Sequence, residues 1–143
     1  MTSEPLRRTA ADSNVVLSAV IGKAALQIFV RPEFEFVTTE FNLLEVEEYL
    51  PRLVSKYGLV EKALFWQFKM LPLESFAEKY YKDHLSKAQA LLKRREPDDA
   101  HLAALALKEN IPIWSNDKDF EKLPIPVYTT AQFLARLKTF NKI

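Results

Sequence analysis

Glu96 to Phe120 reads EPDDAHLAALALKENIPIWSNDKDF, and the fold turns on it. An acidic pair, Asp98 and Asp99, opens a nearly all-apolar helix expected to run to Lys108, with Asn110 as its C-cap. Ile111 to Trp114 reads as a short buried strand, and a second acidic pair, Asp117 and Asp119, stands where that strand ends. Like charges a few ångströms apart repel by roughly 1–4 kcal/mol per pair at the dielectric of a protein surface. Such a cluster is tolerable when a cation neutralises it. The question is whether other carboxylates reach the same place.

Outward from this stretch, short apolar strands alternate with helical periodicity. Thr9 to Ala11 reads as a first strand ending at Asp12, followed by a helix from Asn14 through Phe29. Phe34 to Val37 is the second strand, and Thr38 or Thr39 caps a helix to about Tyr57 with a core stripe of Leu43, Val46, Leu50, Leu53 and Tyr57. Gly58 breaks that helix, and Leu59 to Gln67 forms the next. Phe68 to Leu73 is expected as strand three, Ser75 to Arg94 as helix, Val127 to Thr129 as strand five and Thr130 to Thr139 as the last helix. This order implies one α/β domain over residues 1–143, three layers α/β/α around a mostly parallel five-stranded sheet. In such sheets sites form beyond the C-terminal ends of the strands. Asp12, Asp98, Asp99, Asp117 and Asp119 fall there, and so does Glu45, in the second turn of its helix. They meet if strands one and four are neighbours.

Composition narrows the chemistry. The 143 residues, 48% hydrophobic and 27% charged, suit one ordinary globular domain. No apolar run approaches the length that spans a bilayer, and MTSEPLRR has no apolar leader core, so a cytoplasmic protein is expected. Zero cysteines exclude disulfides, thiolate catalysis and sulfur-bound zinc. Two glycines supply no phosphate-cradling loop, and a net charge of +1 leaves no global nucleic-acid footprint. With only His84 and His101 as imidazoles, any metal chemistry falls to oxygen ligands.

Each acid also has a plainer reading. Asp12 in ADSNVVLSA suits a helix cap, as do Asp98 and Asp99, and Asp117 with Asp119 suits a solvated Asx turn. Glu40, Glu45, Glu47 and Glu48 share one helix, and Glu45 is preferred over Glu40 for a site because it lies beside the apolar stripe near the strand ends. Lys93, Arg94, Arg95, Arg7 and Arg8 suit either phosphate contact or a solvated helix end. His101 reads as a packed or rim histidine. Phe65, Trp66, Phe68, Tyr80 and Tyr81 read as core or oligomer interface rather than a base-stacking platform.

Taken together, ADSNVVLSA, the acidic helix after strand two, DDAHLAALA and WSNDKDF resemble the PIN-domain nucleases, a group that includes the toxins of VapBC-type toxin–antitoxin modules. The resemblance spans nearly the whole chain. It implies that Asp12, Glu45, Asp99 and Asp117 are the catalytic, metal-binding acids, with Asp119 a frequent fifth and Asn14, Asp98 and Ser115 in support. Ser13 stands where threonine is more usual, and Asn116 carries little information. The implied activity is hydrolysis of RNA by Mg²⁺ or Mn²⁺, hard ions that take oxygen ligands. The implied partners are an RNA substrate and a cognate antitoxin. A homodimer is expected as well, from the aromatic-rich second and third helices and from the resemblance. Two rivals share the composition: a non-catalytic RNA- or protein-binding module on the same fold, and a Mg²⁺-binding receiver domain. The receiver would want acids after strands one and three and a lysine after strand five, where this chain has Asp12-Ser13, Leu73-Glu74 and Thr129-Thr130.

Overall fold

Five strands, β1 (Arg8–Ala11), β2 (Glu35–Thr39), β3 (Leu73–Phe76), β4 (Ile113–Trp114) and β5 (Val127–Tyr128), form one sheet in the order β3-β2-β1-β4-β5. Every neighbouring pair is parallel. The helices are α1 (Ser13–Val20), α2 (Ala24–Phe29), α3 (Glu40–Tyr57), α4 (Glu61–Met70), α5 (Glu78–Tyr81), α6 (Leu85–Leu91), α7 (Pro97–Glu109) and α8 (Thr130–Asn141). The computed structural model describes residues 7–92 and 97–141.

The two-residue period of a strand assigns each helix its face. Ala11, Phe36 and Trp114 enter a core shared with α1, α2, α3, α4 and α8. Their neighbours Ala10, Val37 and Ile113 enter the opposite core, under α5, α6 and α7. The three-layer α/β/α architecture follows. On the first face, Phe29, Phe36 and Trp114 lie with ring centroids 4.9–5.0 Å apart, which fixes β4 against the β1–β2 pair. The strand order also disposes of the receiver alternative, whose sheet runs 2-1-3-4-5.

Several boundaries differ from the sequence reading. Phe68 to Leu73 is not strand three: α4 continues to Met70, because Leu64 and Phe68, one turn apart, both face the core. Pro72 then forces Leu71 into extended backbone and the strand begins after it. Asn14 to Phe29 is two helices, since Gly22 turns at φ 84° between them. In the expected helix from Ser75, pairing of Ser75 and Phe76 with Thr38 and Thr39 prevails, and a 3₁₀ turn at Lys82–His84 separates α5 from α6. Its expected end at Arg94 lies outside the described residues. Strand four is shortened to Ile113–Trp114 because the Ile111 N–H closes the end of α7 on Ala106 O, with Asn110 left-handed at φ 56°. Thr39, not Thr38, caps α3, accepting the Asn42 N–H at 2.9 Å, while the Thr38 hydroxyl donates to Ala11 O.

Candidate metal centre

β1 and β4 are neighbours, as convergence of the acids requires. The chain passes from β1 through β2 to β3 on one side and to β4 and β5 on the other, so a crevice opens beyond the C-terminal ends of β1 and β4. α1 and α3 begin at this edge directly after β1 and β2, and α7, leading back towards β4, begins there too. Their amino ends bring partial positive charge to the place where the acids gather, worth about 0.3–1 kcal/mol for each nearby carboxylate.

Asp12 follows β1 and is only 6% exposed. It caps α1, its Oδ1 accepting the Val15 N–H at 2.9 Å, and it also accepts from the Ser115 hydroxyl and the Asn14 N–H. Burial pushes its carboxyl above the ordinary aspartate value against these bonds, and the charge of Asp117 adds to the push. Capping and membership of the acidic edge therefore coexist. Ser115, buried at the end of β4, has a second contact: its Oγ accepts the Asp117 N–H at 2.9 Å. Asp117 Oδ1 in turn accepts the Asp119 N–H at 2.9 Å and caps a 3₁₀ turn, Lys118–Lys122. The Asx turn is real, and it aims both aspartates.

One carboxylate oxygen from each of Asp99, Asp117 and Asp119 lies within 4.8 Å of the others. Asp99 and Asp119 are half-buried and Asp117 is partly exposed. Three oxygen donors at this spacing fit a hard divalent cation, which takes carboxylates and water together. Asp12 stands beside the trio, linked through Ser115 and within the field of Asp117, without joining the 4.8 Å group.

Glu45 is half-buried on α3 and is not among those three carboxylates. It follows Asn42, whose Nδ2 donates to Ser13 Oγ of α1 at 2.8 Å, by three residues, and Phe41, whose ring stacks on His101 of α7, by four. Helical spacing thus puts it on the side of α3 that looks towards α1 and α7. Glu40 instead lines a separate groove of about 370 Å³ with Leu44, Glu47, Phe68, Lys69 and Leu73. Asn14 is exposed, and it is its backbone N–H that reaches Asp12. The Asp98 side chain and Lys93, Arg94 and Arg95 lie outside what the structure describes.

Two contributors escaped the sequence reading. Asn42, 1% exposed, bridges Thr39 and Ser13 and so joins the start of α3 to that of α1. Its signal was T-x-x-N at a helix start, where the threonine hydroxyl caps the asparagine N–H and leaves its amide to reach a neighbouring element. Asn116 clasps Thr130 at the head of α8, its Oδ1 accepting the Thr130 N–H at 2.9 Å. Trp114 Nε1 donates to Thr130 Oγ1 at 3.0 Å, so the start of the loop carrying Asp117 is anchored to the head of α8.

A family model described as PIN domain matches residues 11–138. No curated protein sequence matches the chain. Among solved structures, VapBC2 from Rickettsia felis bound to a DNA fragment from its promoter aligns with a TM-score of 0.61 at 14% identity, covering 85% of this chain and 98% of that one. FitAB bound to a DNA fragment aligns at 0.62 and 12% identity, covering 85% and 94%. FitAcB from Neisseria gonorrhoeae gives 0.58 and 14%, covering 86% and 98%. At these identities the likeness is one of fold. Among the described residues, no helix is long and apolar enough to cross a membrane.

Proposed function

This chain belongs to the PIN-domain family, and from that premise we propose that it is a Mg²⁺- or Mn²⁺-dependent endoribonuclease, the toxin of a toxin–antitoxin pair. The observation that carries the reading is the trio Asp99, Asp117 and Asp119, with oxygens within 4.8 Å of one another beside the buried Asp12. Left bare, these groups oppose one another, and the sequence keeps all of them.

Asp99, Asp117 and Asp119 would hold the ion, with Asp12 and Glu45 completing the set. A bound divalent ion supplies Lewis-acid polarisation of the phosphodiester and a water of lowered pKa. The chain itself does the positioning. Ser115, Val15 and Asn14 hold the Asp12 carboxylate in one orientation. The amino ends of α1, α3 and α7 favour a phosphate at the crevice. Glu45, on the facing wall, orients the attacking water. That water adds to phosphorus as the bond to the 3′ oxygen breaks, leaving a 5′-phosphate and a 3′-hydroxyl.

RNA is the substrate by family resemblance, since splayed single strands enter such a crevice. Likeness to VapBC2 and FitAB supports a cognate antitoxin as partner, and an RNA substrate makes the cytoplasm the site of action. Homodimerisation is supported by Val60, Trp66 and Met70, 68–69% exposed on and beside α4. Light scattering at micromolar concentration is expected to give twice the chain mass, and Trp66→Glu the single mass. The decisive experiment for the activity is cleavage of a mixed RNA pool with Mn²⁺ by the parent and by Asp12→Asn. Cleavage by the parent alone supports the reading, and equal rates, or none from either protein, defeat it.

A further inference from the structure

The side of α3 that looks onto α7 carries an aromatic pair to which the hydrolytic reading gives no role. The rings of Phe41 and His101 stack with centroids 4.1 Å apart and an interplanar angle of 6°. His101 is 8% exposed, and its Nδ1 shares a hydrogen bond of 2.6 Å with the hydroxyl of Tyr81, itself 1% exposed. The Tyr81 ring also meets the imidazole edge-on, at 5.6 Å and 87°. Thr39, the residue that caps α3, lies beside the Tyr81 hydroxyl. The imidazole is therefore clamped at its edge by Tyr81 and covered on one face by Phe41. Phe41, by contrast, is 39% exposed. A large flat ring is held from beneath and open above, one residue into the helix that starts where β2 ends.

Its position gives the open face a purpose. His101 follows Asp99 by two residues on α7, so the two leave different sides of the same first turns, with Cα atoms roughly 5–6 Å apart. Stacked on the first turns of α7, the Phe41 ring thus stands at the sheet edge where α3 and α7 begin, the edge that also carries Asp99. An RNA strand with one phosphate over the trio would bring a neighbouring base within reach of it. A bare aromatic face accepts any base, because stacking uses the π-surface that all bases share. No compensating cation is needed, which suits a site whose nearby charges are acidic.

We propose that Phe41 is a base-stacking residue: backed by His101, its open face takes the nucleobase beside the scissile phosphate and so positions single-stranded RNA in the crevice. The proposal rests on the nuclease reading for its ligand, but it predicts binding, which is measured without turnover.

The test is the affinity of a fluorescein-labelled single-stranded RNA octamer, read by anisotropy in Ca²⁺, for the parent, Phe41→Tyr, Phe41→Leu and Phe41→Ala. A matching set of octamers, each with one abasic position, is read alongside. Because the ring is substantially exposed, all four proteins should share a melting profile. Phe41→Ala and Phe41→Leu are expected to bind about 5- to 100-fold more weakly and Phe41→Tyr to stay near the parent. One abasic octamer should weaken the parent by a similar factor and Phe41→Ala by little more, since the partner ring is already gone. Affinity unchanged in Phe41→Ala, parent-like affinity in Phe41→Leu, or abasic and alanine losses that add in full would overturn it. So would a parent that binds no RNA. A parent that binds with this pattern yet cleaves nothing in Mn²⁺ would leave the stacking role standing and remove the nuclease reading. Cleavage by a parent whose Phe41 variants are indifferent would do the reverse.

Discussion

Ser115 donates its hydroxyl to the carboxylate of Asp12, tying the end of β4 to the end of β1 where the strand order reverses. The same Oγ receives the Asp117 N–H, so one small side chain aligns two acids. Ser115→Ala leaves a buried carboxylate short of one donor. RNA cleavage is expected to fall about 10- to 100-fold, as for other residues that orient metal ligands, while Ser115→Thr keeps most of it. A parental rate in the alanine variant would show that the bond does not matter.

Asp12 also makes a prediction about stability without metal. Burial raises its carboxyl, so the folded chain binds that proton more tightly than the unfolded one. The ionised group therefore costs stability above its folded value, and the cost fades as pH falls towards the ordinary aspartate range near about 3.9. Asp12→Asn should melt higher than the parent at pH 7 in EDTA, with the gap closing towards pH 4. Added Mn²⁺ should raise the parent's Tm more than the variant's. A gap that widens on acidification would contradict the burial argument.

The two faces of α3 separate its glutamates. Glu45→Gln should reduce cleavage at least 100-fold, whereas Glu40→Gln, in the groove with Leu44 and Lys69, should stay within about threefold of the parent. The reverse ranking in single-turnover rates would move the site to the other wall.

At the opposite end of the sheet, Glu109 accepts from Arg8 Nε at 2.6 Å and from the Tyr80 hydroxyl. Burial works to raise its carboxyl, but the bonds from Arg8 and Tyr80 prevail and hold it below the ordinary glutamate value. Its contribution is therefore present above about pH 4.3 and is lost as pH falls through the folded value. Glu109→Gln should cost about 1–2 kcal/mol at pH 7, a few degrees in Tm, and progressively less in acid. Cleavage per folded molecule should be unchanged, since Arg8 lies a full strand length, roughly 13 Å, from Asp12. A pH-independent deficit would assign the loss to packing alone.

The sequence was most informative where one residue type answers to local geometry. Asp12, Asp99, Asp117 and Asp119 stand next to strand or helix ends that capping and periodicity identify, and the topology needed only β1 beside β4 to set Asp12 next to the other three. It was least informative where long-range pairing overrode local preference. Ser75 and Phe76 suit a helix start as well as a strand, and only their pairing with β2 decides. Phe68 has a strand-like neighbourhood, yet its burial one turn after Leu64 keeps it helical. Asn42 and Asn116 were passed over because a lone asparagine looks like surface until the partner from a distant element, Ser13 or Thr130, is in place.

The pairing of Ala10 with Ile113 has a consequence for synthesis. Asp12 is made long before the strand that brings Asp117 and Asp119 beside it. At about 5–20 residues per second, several seconds separate the two segments, and through that interval the acids stay unassembled. Such a long closure also makes docking of that strand a late event in refolding. If the finished protein destroys RNA, this order of construction delays the hazard: a nascent chain stays harmless to its own messenger until β4 has been made and has docked beside β1.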